Sequence, residues 1–184
     1  MTEWSRGGRH TGKTDLPLLT EGETDARVLR DTFCSLLPPV APVLVLTSPL
    51  RRAKRTCELA GFGAVAVVEP RLAEWDYGEY EGLTTDQIRH ARPSWDLFRD
   101  GCPAGELPGQ ISARVDSLLE DLRSDPALAG GEVLCFSHGH VSRVLLARWL
   151  DLPPTEARHF QLTAGSFGRL AWEHEWPAVE TWNR

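Results

Sequence analysis

Residues 43–61, VLVLTSPLRRAKRTCELAG, decide how the chain folds. Val43 to Ser48 is a short, continuous apolar run of the kind buried on both faces of a parallel sheet. After a turn, PLRRAKRTCELAG reads as a helix stopped by Gly61. The same plan of strand, turn and helix recurs at residues 132–153, EVLCFSHGHVSRVLLARWLDLP, where a buried strand leads into a helix that Pro153 ends. AVAVV at residues 64–68 is a further short strand. This order implies an α/β fold, a three-layer sandwich with a mostly parallel sheet and helices on both faces. Ligands in such folds bind beyond the carboxyl ends of the strands, where SPLRRA and SHGH both lie.

Outward from these units, Thr20 and Glu23 offer a capping box for a helix running to about Leu37, and PPVAP at residues 38–42 breaks the chain. Residues 69–93 read as a loop with a brief helix after Leu83 and a stop at Pro93. Ile111, Val115, Leu118, Leu119 and Leu122 recur at helical spacing, which predicts an amphipathic helix from Gln110 to about Ser124. GSFGRLAWEHE at residues 165–175 reads as a last strand, antiparallel or at an edge, and the segment before Thr20 as irregular. Neither a repeat nor a linker interrupts residues 1–184, so one domain is expected.

The 184 residues are 41% hydrophobic and 25% charged, with a net charge of −6. That balance disfavours a nucleic-acid surface, which needs cations to neutralise phosphates, so any phosphate bound should be small. Cys34, Cys57, Cys102 and Cys135 are widely separated and form no CxxC pair, which suggests free buried thiols. No apolar run reaches the roughly 18 residues of a membrane span, and no basic-then-apolar stretch marks a signal peptide. The cytoplasm is the expected compartment.

Three motifs carry chemistry. SPLRRA delivers Arg51 and Arg52 to the first turn of a helix, whose free N–H groups favour an anion, and Arg52 can fork two hydrogen bonds onto a phosphate. A solvated basic helix face would carry the same residues. SHGH presents His138 at a strand end, with Gly139 permitting close backbone approach and His140 opening the next helix. A His-x-His pair can also be half of a metal site, but no third ligand lies at suitable spacing. LAEWDYGEYEGLT sets Glu74, Asp76, Glu79 and Glu81 among Trp75, Tyr77 and Tyr80, and a carboxyl group held against aromatic rings is suited to general acid work; an acidic surface loop would look similar. A guanidinium, an imidazole and a carboxylic acid at neighbouring strand ends are the parts needed for metal-free phosphoryl transfer.

Taken in order, TEW, GRHTG, TDLPL, SPLRRAKRT, LAEWDYGEYEGLT, GCPAGE, FSHGHVSRVLL and the closing WN resemble the histidine phosphatase superfamily, which includes the phosphoglycerate mutases, over essentially the whole chain. The resemblance implies a phosphohistidine mechanism without metal or cofactor: one histidine attacks phosphorus, two arginines and a second histidine clamp the phosphoryl oxygens, and a carboxylic acid protonates the leaving group. On this resemblance Arg52 is a clamping arginine, Glu74 the acid and His138 the second histidine. Ser5, Arg9, Thr11, Gly12, Tyr77 and Gly139 fall where relatives contact phosphate or substrate.

The family's nucleophile stands in an Arg-His-Gly-x-Thr motif just before the Glu-Trp that this chain shows as Glu3 and Trp4. Aligning Thr2 with that Thr puts Met1 at x, so the nucleophilic histidine, the first clamping arginine and the strand bearing both are expected upstream of Met1. An internal methionine taken for a start would explain this; a genuinely shortened protein is the alternative. His10 and His140 match positions with other roles. The expected activity, in a complete form, is hydrolysis of a small phosphorylated metabolite, with mutase-type transfer or non-catalytic phospholigand binding as alternatives, and a homodimer is compatible with it.

Overall fold

The structure, a computed structural model, describes residues 1–36 and 42–184. Helices α1 (Glu3–Arg6) and α2 (Thr20–Leu36) precede strand β1 (Leu44–Thr47) and helix α3 (Arg51–Leu59). Strand β2 (Val67–Val68), α4 (Thr85–Ala91), α5 (Leu97–Asp100) and α6 (Pro108–Ser124) come next. Strand β3 (Val133–Phe136), α7 (Gly139–Trp149) and the strands β4 (Arg169–Glu173) and β5 (Trp176–Thr181) complete the order. The break expected at residues 38–41 and the burial expected for the Cys34 side chain lie outside the described residues.

The sheet is parallel, in the order β2-β1-β3, with Leu46 opposite Val67 and Leu44 to Thr47 opposite Val133 to Phe136. Helices cover both faces because successive β1 side chains point to opposite sides. Val45 packs with Leu29 of α2 and Cys57 of α3, whereas its neighbour Leu46 packs with Leu118 of α6. Between α6 and α7, Ile111, Val115, Val141 and Val144 join Trp75, Trp95 and Phe98 in the largest core cluster. Burial of each such aliphatic or aromatic side chain is worth about 1.5–3 kcal/mol, so this cluster anchors the acidic loop that crosses it.

Several expectations need correction. Thr20 is already helical and does not cap α2; the Glu23 carboxylate pairs instead with Arg55 at 2.8 Å and Arg27 at 3.0 Å. The start of the chain contains a helical turn, α1, closed by a capping box in which Thr2 and Ser5 bond each other. Only Val67 and Val68 of AVAVV pair, because only Leu46 and Thr47 of β1 reach them, and Val67 is 54% exposed. The strand expected at residues 165–175 is antiparallel as read, but it is not the last: β5 follows it, and the two form a hairpin that joins no other strand among the described residues.

Strand β3 departs most from a doubly buried strand: Val133 and Leu134 are half-buried, Cys135 is exposed and only Phe136 is buried. One edge of β3 bonds β1, and β3 residues also line a cavity of about 1320 Å³ bounded by Phe33, Leu122, Gly168 and Trp182. No helix among the described residues is long and apolar enough to cross a membrane.

Candidate active site

That cavity is lined in part by Ser5, Arg9, Thr11, Arg52, Glu74, Tyr77, His138 and Gly139. Of the residues expected at the site, only Gly12 is not in its lining, and it lies directly behind. Strand β1 ends at Thr47, the chain turns through Ser48 and Pro49, and Arg52 enters from the first turn of α3, only 7% exposed. Its Nε donates to His138 Nδ1 at 3.1 Å, Nη1 to the Thr14 carbonyl at 3.2 Å, and Nη2 to the carbonyls of Thr11 at 2.9 Å and Gly12 at 3.0 Å. The α3 N-terminus is less free than expected, since Asp15 Oδ1 accepts from the Arg51 N–H at 2.8 Å.

His138 is the residue before α7 and meets Arg52 because β1 and β3 are adjacent and end at the same level. A guanidinium only donates, so Nδ1 is the acceptor and Nε2 carries the proton, 2.7 Å from Ser48 Oγ. Burial pushes the His138 pKa down to about 3; the Glu74 carboxylate opposes this and the Arg52 charge adds to it. The imidazole is therefore a neutral hydrogen-bond donor at physiological pH.

Glu74 reaches the start of α7. Its Oε1 accepts from the backbone N–H of Trp75 at 2.9 Å and Val141 at 3.0 Å, and Oε2 from that of His140 at 3.1 Å. The free donors of a helix N-terminus thus hold the candidate acid. Gly139 is not sterically required here, since an added Cβ would meet only Glu74 Oε2 at an ordinary 3.9 Å. Gly12 is required: a Cβ there would lie 2.8 Å from Glu81 Oε2 and 2.9 Å from the Tyr77 ring.

Tyr77 is 1% exposed, and burial raises its phenol well above the ordinary value, so it stays protonated; its hydroxyl shares a hydrogen bond of 2.5 Å with His140 Nδ1. Burial lowers His140 to about 3, with Arg143 adding to the effect, and lowers His10 to about 4. The His10 ring packs at a tilt of 39° against Tyr77, 4.7 Å between centroids, and its backbone is held by Leu83 and Gly82. Ser5 spends its hydroxyl on Thr2, while Thr11 Oγ1 donates to the Arg9 carbonyl at 3.1 Å.

Sequence reasoning missed Glu81. Its Oε1 accepts from Gly12 N at 2.8 Å and Thr14 N at 3.1 Å, holding in place the loop that Arg52 grips from the other side. Its place among four acidic residues of one loop hid that role; the separation of 67 to 69 residues from its partners leaves no local signal. Among the described residues no group of His, Cys, Asp or Glu is placed to hold a metal ion.

The sequence profile of the histidine phosphatase superfamily (branch 1) matches residues 1–184. An acid phosphatase of Mycobacterium tuberculosis is 41% identical over 173 residues, 94% of this chain and 83% of that protein. The sedoheptulose 1,7-bisphosphatase of Saccharomyces cerevisiae is 34% identical, covering 83% of this chain and 65% of that enzyme. A solved structure of a Mycobacterium tuberculosis open reading frame product superposes with a TM-score of 0.92 at 38% identity, over 99% of this chain and 92% of that one.

Proposed function

Since the chain belongs to the histidine phosphatase superfamily, we propose that residues 1–184 form one phosphatase domain that hydrolyses small phosphorylated metabolites without metal, its nucleophilic histidine supplied by an Arg-His-Gly strand ahead of Thr2. The observation that carries this reading is the contact between Arg52 and His138 at the ends of β1 and β3, a cation and a neutral donor at the head of an open cavity. The length of that cavity along β3 supports the additional strand.

In the reaction, a nitrogen of the nucleophilic histidine attacks phosphorus and the ester P–O bond breaks. Arg52, through the Nη1 hydrogen that Thr14 leaves over, and His138 Nε2–H, on giving up Ser48 Oγ, bind the non-bridging oxygens, where charge accumulates. The Glu74 carboxylic acid gives its proton to the departing alkoxide. Water then attacks the phosphohistidine, Glu74 takes up the water's proton, and the P–N bond breaks to release inorganic phosphate. The 41% identity to a protein named acid phosphatase favours water, and not a second hydroxyl of a sugar acid, as acceptor.

The test is a chain extended upstream of Met1, assayed for phosphate release from nitrophenyl and sugar phosphates and for interconversion of phosphoglycerates. Hydrolysis that survives EDTA is expected. Interconversion that outpaces hydrolysis would make it a mutase, and tight phosphate binding with no turnover would make it a phospholigand-binding protein.

A further inference from the structure

Behind Glu74, away from the cavity, a half-buried ion pair ties three segments together. Arg114, on α6, donates from Nε to Glu106 Oε1 at 2.7 Å and from Nη2 to Glu106 Oε2 at 2.9 Å, a two-pronged pair whose side chains are 18% and 19% exposed. The same guanidinium donates from Nη1 to the Arg71 carbonyl at 2.5 Å and from Nη2 to the Glu74 carbonyl at 3.3 Å. Glu106 Oε2 accepts from the Asp76 N–H at 2.9 Å, the Glu106 N–H donates to the Asp76 carbonyl at 2.8 Å, and the Trp75 indole donates to the Glu106 carbonyl at 3.0 Å. Residues 74–76 are therefore held at every backbone or indole group that faces the pair, while the Glu74 carboxylate on their other side rests on α7.

We propose that Glu106 and Arg114 are positioning residues for the acid step: they set the height of the acidic loop so that the Glu74 carboxyl reaches the start of α7 and the head of the cavity. This rests on the reading of Glu74 as the general acid. Neither residue lines the cavity, so their hydrogen bonds reach the site through that loop, and the Arg114 charge, which also disfavours the charged form of His138, is kept in Arg114→Lys. The fork is needed because one cation must serve a carboxylate and two carbonyls at fixed angles, which the single ammonium of a lysine cannot do.

Two measurements test it. In the 184-residue chain, Arg114→Lys and Glu106→Gln should speed hydrogen exchange at the amides of Trp75, Asp76, His140 and Val141, leaving those of Val45 and Leu46 in β1 unchanged. In the extended chain, both variants should lower kcat on alkyl phosphates by about 10- to 100-fold, part of what general acid catalysis supplies, with nitrophenyl phosphate reduced less than about threefold and KM held. Unchanged exchange at those four amides, or a rise that includes β1, overturns the clamp; equal losses on the two substrate types overturn its link to the acid step. An extended wild-type chain without any hydrolysis would sink the proposed function instead, and the exchange pattern would then decide whether the clamp exists.

Discussion

At the scale of residues, three imidazoles dominate the site and all are driven toward the neutral form by burial: His138 and His140 to about 3, His10 to about 4. In the unfolded chain each would titrate near 6.5. Above that value both states are neutral and the rings contribute nothing to pH dependence. As the pH falls below it the unfolded state takes up protons first, so stability is lost between about 6.5 and the folded values. At pH 5 this amounts to roughly 2 kcal/mol per ring, an upper bound for rings that line an open cavity. Urea midpoints should therefore fall from pH 7 to pH 5, and His140→Gln should flatten the slope; a variant as pH-sensitive as the wild type would contradict the assignment. For Glu74, replacement by Gln in the extended chain should cost about 100-fold on alkyl phosphates and far less on nitrophenyl phosphate, whose leaving group needs little protonation. Losses of the same size on both would remove Glu74 from the acid role.

At the scale of elements, the loop from Arg9 to Asp15 is the piece most dependent on distant partners. Its carbonyls accept from Arg52, its amides donate to Glu81, and Gly12 lets it press on Tyr77. Gly12→Ala should force the loop outward, costing about 1–3 kcal/mol by overpacking and weakening phosphate or vanadate binding in the same measurement. Full affinity and an unchanged melting temperature in that variant would show that the loop has another place to go. Strand β3 illustrates how an element can be right in type and wrong in environment: Val133 to Phe136 is a parallel strand, yet Cys135 is exposed because one side faces the cavity.

At the scale of the whole molecule, the cavity of about 1320 Å³ separates the three-stranded sheet from the β4–β5 hairpin. A strand inserted along β3 would satisfy its open edge and cover the apolar walls. The 184-residue chain should thus bind a hydrophobic dye and hydrolyse nitrophenyl phosphate no faster than background. Extending it upstream should raise the melting temperature by about 10 °C or more, since each kcal/mol gained in a domain of this size moves it by roughly 2–4 °C, and should bring activity at the same time. A cooperatively folded 184-residue chain with turnover would instead point to His10 as the nucleophile.

The features that the sequence determined by itself are those written in local pattern. Continuous apolar runs, helical spacing and Gly or Pro stops placed β1, α3, α6, β3 and α7, and with them Arg52 and His138 just past the ends of β1 and β3. Hydrophobic burial reads period and sign from neighbours a few residues apart, so these survive without knowledge of the rest of the fold. The tertiary structure alone decided the pairings between remote segments: Glu81 with the loop of Gly12, Asp15 at the start of α3, Glu74 at the start of α7, and Arg114 with Glu106 behind it. A polar side chain's role depends on which donor or acceptor the folded chain brings within about 3 Å of it. No periodicity records that distance, because it is set by how the helices and the sheet pack.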